Sequence, residues 1–287
     1  MAYLLALGSA ALYGAADFLG GLASRYASTI AIVAVSQGAG LVLLALLLPL
    51  LPDAAPSARD MMWGGAAGLT GGTGVALLYR ALAVGTMAVV APTTAVCAVM
   101  IPVIVEAFVG QRLPLVAMAG IALAMVAIVL VGQQDAAAPA GDRPAVARRA
   151  LPPGVGLALM SGVAIGLFFL SLARTSASAG LWPLLAARMV SVTLFATMAV
   201  GGSHSLRMAR SVARIAVAGG VLDMLANALY VLATRYGPLS LVVTLSSLYP
   251  ASTVILARIA LGERLNGWQV TGVVCALVAV VLIVSAS

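Results

Sequence analysis

The sequence is poor in the residues that carry most metal and redox chemistry. Among its 287 residues there are one histidine, two cysteines and no lysine, and only 8% are charged. Cys97 and Cys275 lie in separate apolar runs, so they predict neither a disulfide framework nor a metal site, and we expect both to be packing residues. Soluble globular chains carry roughly a quarter charged residues, so water is not the solvent for most of this surface.

Positive charges outnumber negative ones among the few charged residues. The formal net charge of +7 comes from arginines that stand singly at the ends of apolar runs, without a basic stripe. This pattern is typical of membrane topology and predicts no binding of nucleic acid. The lone His204 lies in a polar stretch, where we expect it to be solvated.

Apolar length is what the sequence has in abundance, because 63% of its residues are hydrophobic. Polar breaks leave about ten segments of roughly 20 residues, the length of helix that crosses a hydrocarbon core of about 30 Å. We therefore predict an all-α integral membrane protein with about ten transmembrane helices. They lie near residues 3–22, 29–51, 61–81, 87–109, 114–132, 154–173, 180–201, 213–233, 239–261 and 267–285.

The chain matches itself at an offset of 152 residues. The matches include Gly85 with Gly237, Gly110 with Gly262, Arg112 with Arg264, Leu113 with Leu265 and Gly120 with Gly272. We predict a first five-helix repeat over residues 1–133, a linker over 134–153 and a second repeat over 154–287. Because each repeat has an odd number of spans, the second enters the membrane from the opposite side. Inverted repeats of this kind are typical of transporters with a site at the repeat interface near the middle of the membrane.

Two motifs in these repeats resemble those of the drug/metabolite transporter superfamily, and within it the EamA-type permeases. They are YGAADFLGG in the first span and the sequence G-[QE]-R-L after spans four and nine. Arg188 matches an arginine that the family has early in the second span of each repeat, whereas Gln37 stands at that place in the first. The resemblance implies a permease for amino acids, their derivatives or other small metabolites, often an exporter. It also implies proton coupling through Asp17 or Asp223, and both termini in the cytoplasm.

Charged residues inside the spans are the strongest indication of a site. A charge at the centre of a membrane helix costs about 2.5 to 3.5 kcal/mol on insertion scales, so it needs water or a partner. Asp17, Arg188 and Asp223 lie well inside their spans, while Glu106 is close enough to the interface to reach it. Arg188 and Asp223 lie at depths that allow contact, either as a structural ion pair or as the lining of a water-filled cavity.

Polar side chains in the same spans complete the predicted substrate cavity. Asn227 and Tyr230 share a helical face with Asp223, and Thr244 and Ser247 form a shorter stripe in the next span. The predicted cavity residues are Tyr13, Asp17, Gln37, Tyr79, Thr93, Arg188, Asp223, Asn227, Tyr230 and Ser247. Two carboxylates against one arginine favour a cation or a zwitterion.

Glycine spacing predicts packing surfaces, and the charged turns predict helix ends. Gly64, Gly68 and Gly72 make a smooth stripe in span three, as do Gly162 and Gly166 in span six. The sequence LGERLNG at 261–267 predicts a turn between two spans, with a structural or gate-rim role for its charges.

A secondary transporter working by alternating access is the function that these features favour. The alternative is a membrane-embedded enzyme acting on a lipid or isoprenoid phosphate, for which the chain has no histidine cluster or paired carboxylates. We expect a small-molecule substrate, no cofactor, and a monomer or weak homodimer in the lipid bilayer of the bacterial plasma (inner) membrane. The arginine distribution favours the opposite orientation to the one that the resemblance implies.

Overall fold

The computed structural model describes residues 1–50, 54–108, 114–131, 152–202, 207–236, 242 and 245–285, and in this part of the chain it is helical without strands. Its helices are α1 (Ala2–Ala23), α2 (Thr29–Leu47), α3 (Ala58–Val84), α4 (Met87–Phe108), α5 (Leu115–Val131), α6 (Val155–Leu172), α7 (Trp182–Gly201), α8 (Arg210–Tyr236), α9 (Tyr249–Leu261) and α10 (Gly267–Ser285). The predicted fold class of about ten helices is confirmed. Predictions for His204, Thr244, the GQRL sequence at 110–113, linker residues 134–151 and the Glu106 side chain lie outside the described part.

The helices have the length and surface of membrane spans. Six of those described are long and apolar enough to cross a membrane, namely α1, α2 with its 3₁₀ extension to Leu50, α3, α6, α7 and α8 as far as Tyr230. Large apolar side chains cover their outer surface, with Leu4 and Met62 each 76% exposed. Such a surface is stable against lipid and costly against water.

Span nine differs from its prediction, which placed one helix near 239–261. The helix α9 starts at Tyr249, after a turn at residues 247–248, and Pro250 stands in its first turn. Proline has no N–H to extend an earlier helix and is favoured in a first turn, which explains the interruption. By contrast, α4 runs unbroken through Pro92 and Pro102.

The LGERLNG sequence forms the predicted turn, and most of its polar residues have a role in helix ends. Gly262 ends α9 with a φ of 65°, in the left-handed region that glycine adopts without strain. Asn266 and Gln269 begin α10 with a reciprocal capping box. The backbone N–H of Gln269 donates to Asn266 Oδ1 at 2.8 Å, and the backbone N–H of Asn266 donates to Gln269 Oε1 at 3.2 Å.

The two halves interlock rather than pack side by side. Helix α1 packs most extensively on α8, and its equivalent α6 packs on α3; likewise α2 packs on α8 while α7 packs on α3. Two further contacts, α2 with α7 and α5 with α10, join helices that are equivalent to each other. When each helix is replaced by its equivalent in the other half, every one of these contacts becomes a contact that the structure also has. This is the pattern of a two-fold relation, so the prediction of two inverted repeats is confirmed.

Individual hydrogen bonds obey the same two-fold relation. The Ser9 hydroxyl donates to the Ala226 carbonyl at 2.8 Å, and the Ser161 hydroxyl donates to the Gly74 carbonyl at 2.7 Å. The donors differ by the repeat offset of 152 residues, and so do the acceptors. A second such pair joins Thr94 to the Ala158 carbonyl at 3.2 Å and Ser246 to the Ala6 carbonyl at 3.5 Å.

The predicted glycine stripe of α3 lies directly on the backbone of α7. A Cβ added to Gly64 would lie 2.8 Å from the Pro183 Cα, and one added to Gly68 would lie 2.8 Å from the Ala187 Cα. Both distances are shorter than real Cβ contacts, so only glycine permits this approach. The prediction of a packing surface in α3 is confirmed, as it is in α6, where a Cβ on Gly166 would overlap Ile101.

We expect Gly68→Ala to destabilise the protein by about 1–3 kcal/mol, because the added methyl group must push α3 away from α7. The measurement is the temperature at which half of the detergent-solubilised protein remains monodisperse. Gly65→Ala is the matched control in the same helix, since a Cβ there would make only an ordinary contact, 3.7 Å from Val190. Equal effects of the two variants would contradict the assignment of α3–α7 packing to Gly68.

Candidate functional site

Arg188 and Asp223, whose depths allow either an ion pair or the lining of a cavity, are in contact in the structure. The Arg188 side chain is 9% exposed and that of Asp223 is 23% exposed, and Nη2 of the arginine donates to Oδ2 of the aspartate. Nη1 of the same guanidinium donates to Gln37 Oε1. One arginine therefore joins α7, α8 and α2, and the amide of Gln37 is a partner that the sequence analysis placed in the cavity without pairing it.

Helix α2 provides room for this guanidinium as well as a partner. A Cβ added to Gly40, one turn from Gln37, would lie 3.6 Å from Arg188 Cζ and 3.3 Å from the Gly220 carbonyl oxygen. Larger side chains at Gly40 would therefore compete with Arg188 for space. The arginine has a fitted position between α2 and α8.

The contact between Gln37 and Arg188 joins equivalent positions of the two halves. Gly220 and Gly68 are equivalent glycines of the two halves. A Cβ added to Gly220 would lie 2.8 Å from the Ser36 Cα, and a Cβ added to Gly68 would lie at the same distance from the Ala187 Cα. Ser36 and Ala187 are thus structurally equivalent, and so are Gln37 and Arg188, which follow them; in this helix the offset between the halves is 151 residues, one fewer than the 152 of the matches above. A residue that bonds to its own equivalent must lie close to the two-fold axis. The site is therefore central in the molecule.

Asp17 is a second carboxylate in the same region. It lies half-buried on α1, close enough to Asp223 for their charges to interact. Within the described residues its carboxylate makes no hydrogen bond and has no arginine partner, whereas Asp223 has Arg188. Ionised Asp17 and Asp223 together with Arg188 carry one net negative charge, and Asp17 is the member without a counter-ion.

Three tyrosines lie in the electrostatic environment of Asp17. Tyr13, Tyr79 and Tyr249 all lie within range of its charge. The Tyr79 ring packs directly on Gly20 of α1, where a Cβ would overlap it. Tyr13 and Tyr249 meet edge to face with ring centroids 6.3 Å apart. A carboxylate among aromatic rings is an arrangement that favours a bound cation.

Tyr249 is the residue of this cluster that the sequence analysis missed. It occupies the first position of α9, and α1 approaches its backbone so closely that a Cβ on Gly14 would lie 2.5 Å from the Tyr249 carbonyl oxygen. The available signal was an aromatic residue beside Pro250, at the point where span nine is interrupted. Tyr230, which was predicted, lies near Tyr13.

The remaining predicted residues make other contacts. Asn227 uses its side-chain amide to donate to the backbone carbonyl of Asp223 at 2.8 Å. Thr93 is 2% exposed and donates to the Val89 carbonyl of its own helix at 2.8 Å. Ser247 lies half-buried in the turn before α9. Direct contacts join Gln37, Arg188 and Asp223, and the charges of Asp17 and Asp223 act on Tyr13 and Tyr79 nearby. Tyr230 interacts electrostatically with Tyr13, and the described contacts do not show Thr93 at this cluster.

Comparison with known proteins identifies both halves of the chain. The model of the EamA-like transporter family matches residues 1–133 and 152–285. A solved structure described only as the crystal structure of a protein is 18% identical and covers 96% of this chain and 96% of its own, with a TM-score of 0.56. At that identity it supports the fold alone. No curated protein matches the sequence.

We expect Asp223→Asn to lower stability by about 1–3 kcal/mol, because the change leaves the buried Arg188 guanidinium without its counter-ion. Arg188→Gln should cost a similar amount, and the double variant should cost less than the sum of the two. Thermal inactivation of purified protein in detergent measures all three. Additive effects would mean that the contact between Arg188 and Asp223 contributes no coupling energy, which would contradict a stabilising ion pair.

Proposed function

The chain belongs to the EamA-like transporter family, and we propose that it is a secondary active transporter that moves a small amino-acid-like or cationic solute by alternating access. The protein is a multi-pass membrane protein of a transporter family. The proposal adds the substrate class, the site and the mechanism. The observation that carries it is the charged cluster of Asp17, Arg188 and Asp223 at the interface of two inverted halves.

The position of the cluster supports alternating access. An axis that relates two inverted repeats lies in the plane of the membrane, and Arg188 meets its equivalent residue beside that axis. A solute bound there is equally far from both faces. Small opposite movements of the two halves can then expose it to one face or the other.

The charges of the cluster support the substrate class. Asp17 has a carboxylate without a described partner, and Tyr13, Tyr79 and Tyr249 lie within range of its charge, so an ammonium group bound there would gain an ion pair in an aromatic environment. The guanidinium of Arg188 is a donor that a carboxylate group can share with Asp223. An amino acid or related zwitterion presents both groups, and a simple cation presents the first.

The direction of transport, its coupling to protons and the membrane in which it takes place belong to the same proposal. The permeases that this chain resembles are often exporters, which favours export from the cytoplasm of a bacterial cell across its plasma (inner) membrane. Asp17 suits proton coupling, because a carboxylate without a counter-ion can exchange a bound cation for a proton. Both tasks would fall to the same group, so substrate and proton would compete for it.

We expect Asp17→Asn to reduce uptake of ammonium-bearing solutes into proteoliposomes by at least about tenfold, since about 1.4 kcal/mol of lost binding already gives that factor. The screen contains amino acids, polyamines, nucleobases and cationic drugs, with and without a proton gradient. Because Asp17 has no described ion pair, its variant should remain as heat-stable as the parent protein, unlike Asp223→Asn. A heat-stable Asp17→Asn protein with unchanged uptake and pH dependence would contradict the assignment of this site.

A further inference from the structure

A contact outside the proposed substrate site joins the two halves at one face of the molecule. Glu263, in the turn between α9 and α10, reaches the first residues of α4 in the other half. Its Oε1 accepts the Met87 N–H and its Oε2 accepts the Ala88 N–H, both at 3.0 Å. The first backbone N–H groups of a helix have no partner within the helix and carry partial positive charge. A carboxylate is therefore the side chain best suited to this position.

Arg25 connects the same carboxylate to two more helices. Its Nη2 lies 3.5 Å from Glu263 Oε1 and donates at 3.5 Å to the Leu82 carbonyl near the end of α3. Arg25 stands in the loop between α1 and α2. Glu263 thus joins three neighbouring ends of the first half to the α9–α10 turn of the second.

Solvent exposure of these groups is intermediate, which suits a contact that opens. The Glu263 side chain is 12% exposed and that of Arg25 is 29% exposed. Water can replace the carboxylate on the two N–H groups, so separating them leaves no buried donor unsatisfied. Leu265, two residues after Glu263, packs against an apolar cluster that contains Val89 of α4 and Val273 of α10.

The sequence makes this contact different in the two halves. The position equivalent to Glu263 in the first repeat is Gln111, which carries no charge. A neutral amide interacts more weakly with a helix N-terminus than a carboxylate does. The charged contact therefore belongs to only one face by sequence, the face at which α4 and α10 begin.

We propose that Glu263 is a latch that holds this face closed, and that its release is part of the opening of the transporter towards that face. The inference rests on the proposed transport by alternating access. It assigns to the acidic residue of the GERL sequence a role in the conformational equilibrium, beyond forming a turn. Arg264 beside it is exposed and makes no hydrogen bond or ion pair with the described residues, so the role belongs to the glutamate alone.

The test measures the separation of the two halves directly. Cys97 and Cys275 are first replaced, and spin labels are then attached at Thr86→Cys in the first half and Arg258→Cys in the second. Both positions are exposed. Electron resonance gives the distance distribution in proteoliposomes without substrate. We expect Glu263→Gln to increase the population at longer distance several-fold, and Arg25→Gln to do so to a smaller extent. Arg264→Gln, in the same turn, should leave the distribution unchanged.

The outcomes separate the latch from the proposed function. Unchanged distances in Glu263→Gln would overturn the latch, whatever the protein transports. Recovery of folded Arg264→Gln protein together with failure of every Glu263 variant to fold would also overturn it, because the contact would then be structural. Failure of every solute in the uptake screen would contradict the proposed function and leave the distance measurement intact.

Discussion

The contact between Arg188 and Gln37 is the interaction around which this structure is arranged, because it joins two equivalent positions near the two-fold axis. Equivalent residues on such an axis face each other, so two arginines there would bring like charges together. A glutamine on one side supplies an acceptor instead, which leaves the other nitrogen of the guanidinium free to bind Asp223. The break in symmetry at this point gives the site its single, oriented positive charge.

Elsewhere, symmetry is kept in the scaffold and lost in the chemistry. Close helix contacts recur in both halves through serine, threonine and glycine, which need only a small side chain and a backbone acceptor. Charged and aromatic residues of the site do not recur: the positions equivalent to Asp17 and Asp223 are Phe169 and Gly71, and that of Tyr13 is Ile165. The shared contacts preserve the fold, whereas the residues of the proposed site are particular to one half or the other.

This difference also explains how far the sequence could predict the structure. Apolar length and the cost of buried charge are local properties, so the helices and the pairing of Arg188 with Asp223 followed from them. The contact of Glu263 with α4 depends on which helix ends meet in space, and Tyr249 entered the cluster through an interruption at Pro250. Neither is set by spacing along the chain. The Thr93 hydroxyl donates to the carbonyl four residues earlier in its own helix, a bond that a helical threonine can make in many surroundings, so its polarity alone was a weak basis for placing it in the cavity.

The helices that carry the proposed substrate site also end at the proposed latch. In α3, Tyr79 packs on Gly20 of α1, and one turn further Leu82 packs on Gly21. The carbonyl of Leu82 then accepts Arg25, the partner of Glu263. At both glycines an added Cβ would overlap a side chain of α3, so α1 and α3 are closely packed along this stretch. A solute that shifts Tyr79 at the proposed site would act through this packing on the helix ends beside Arg25, so the proposed site and the proposed latch share one pair of helices.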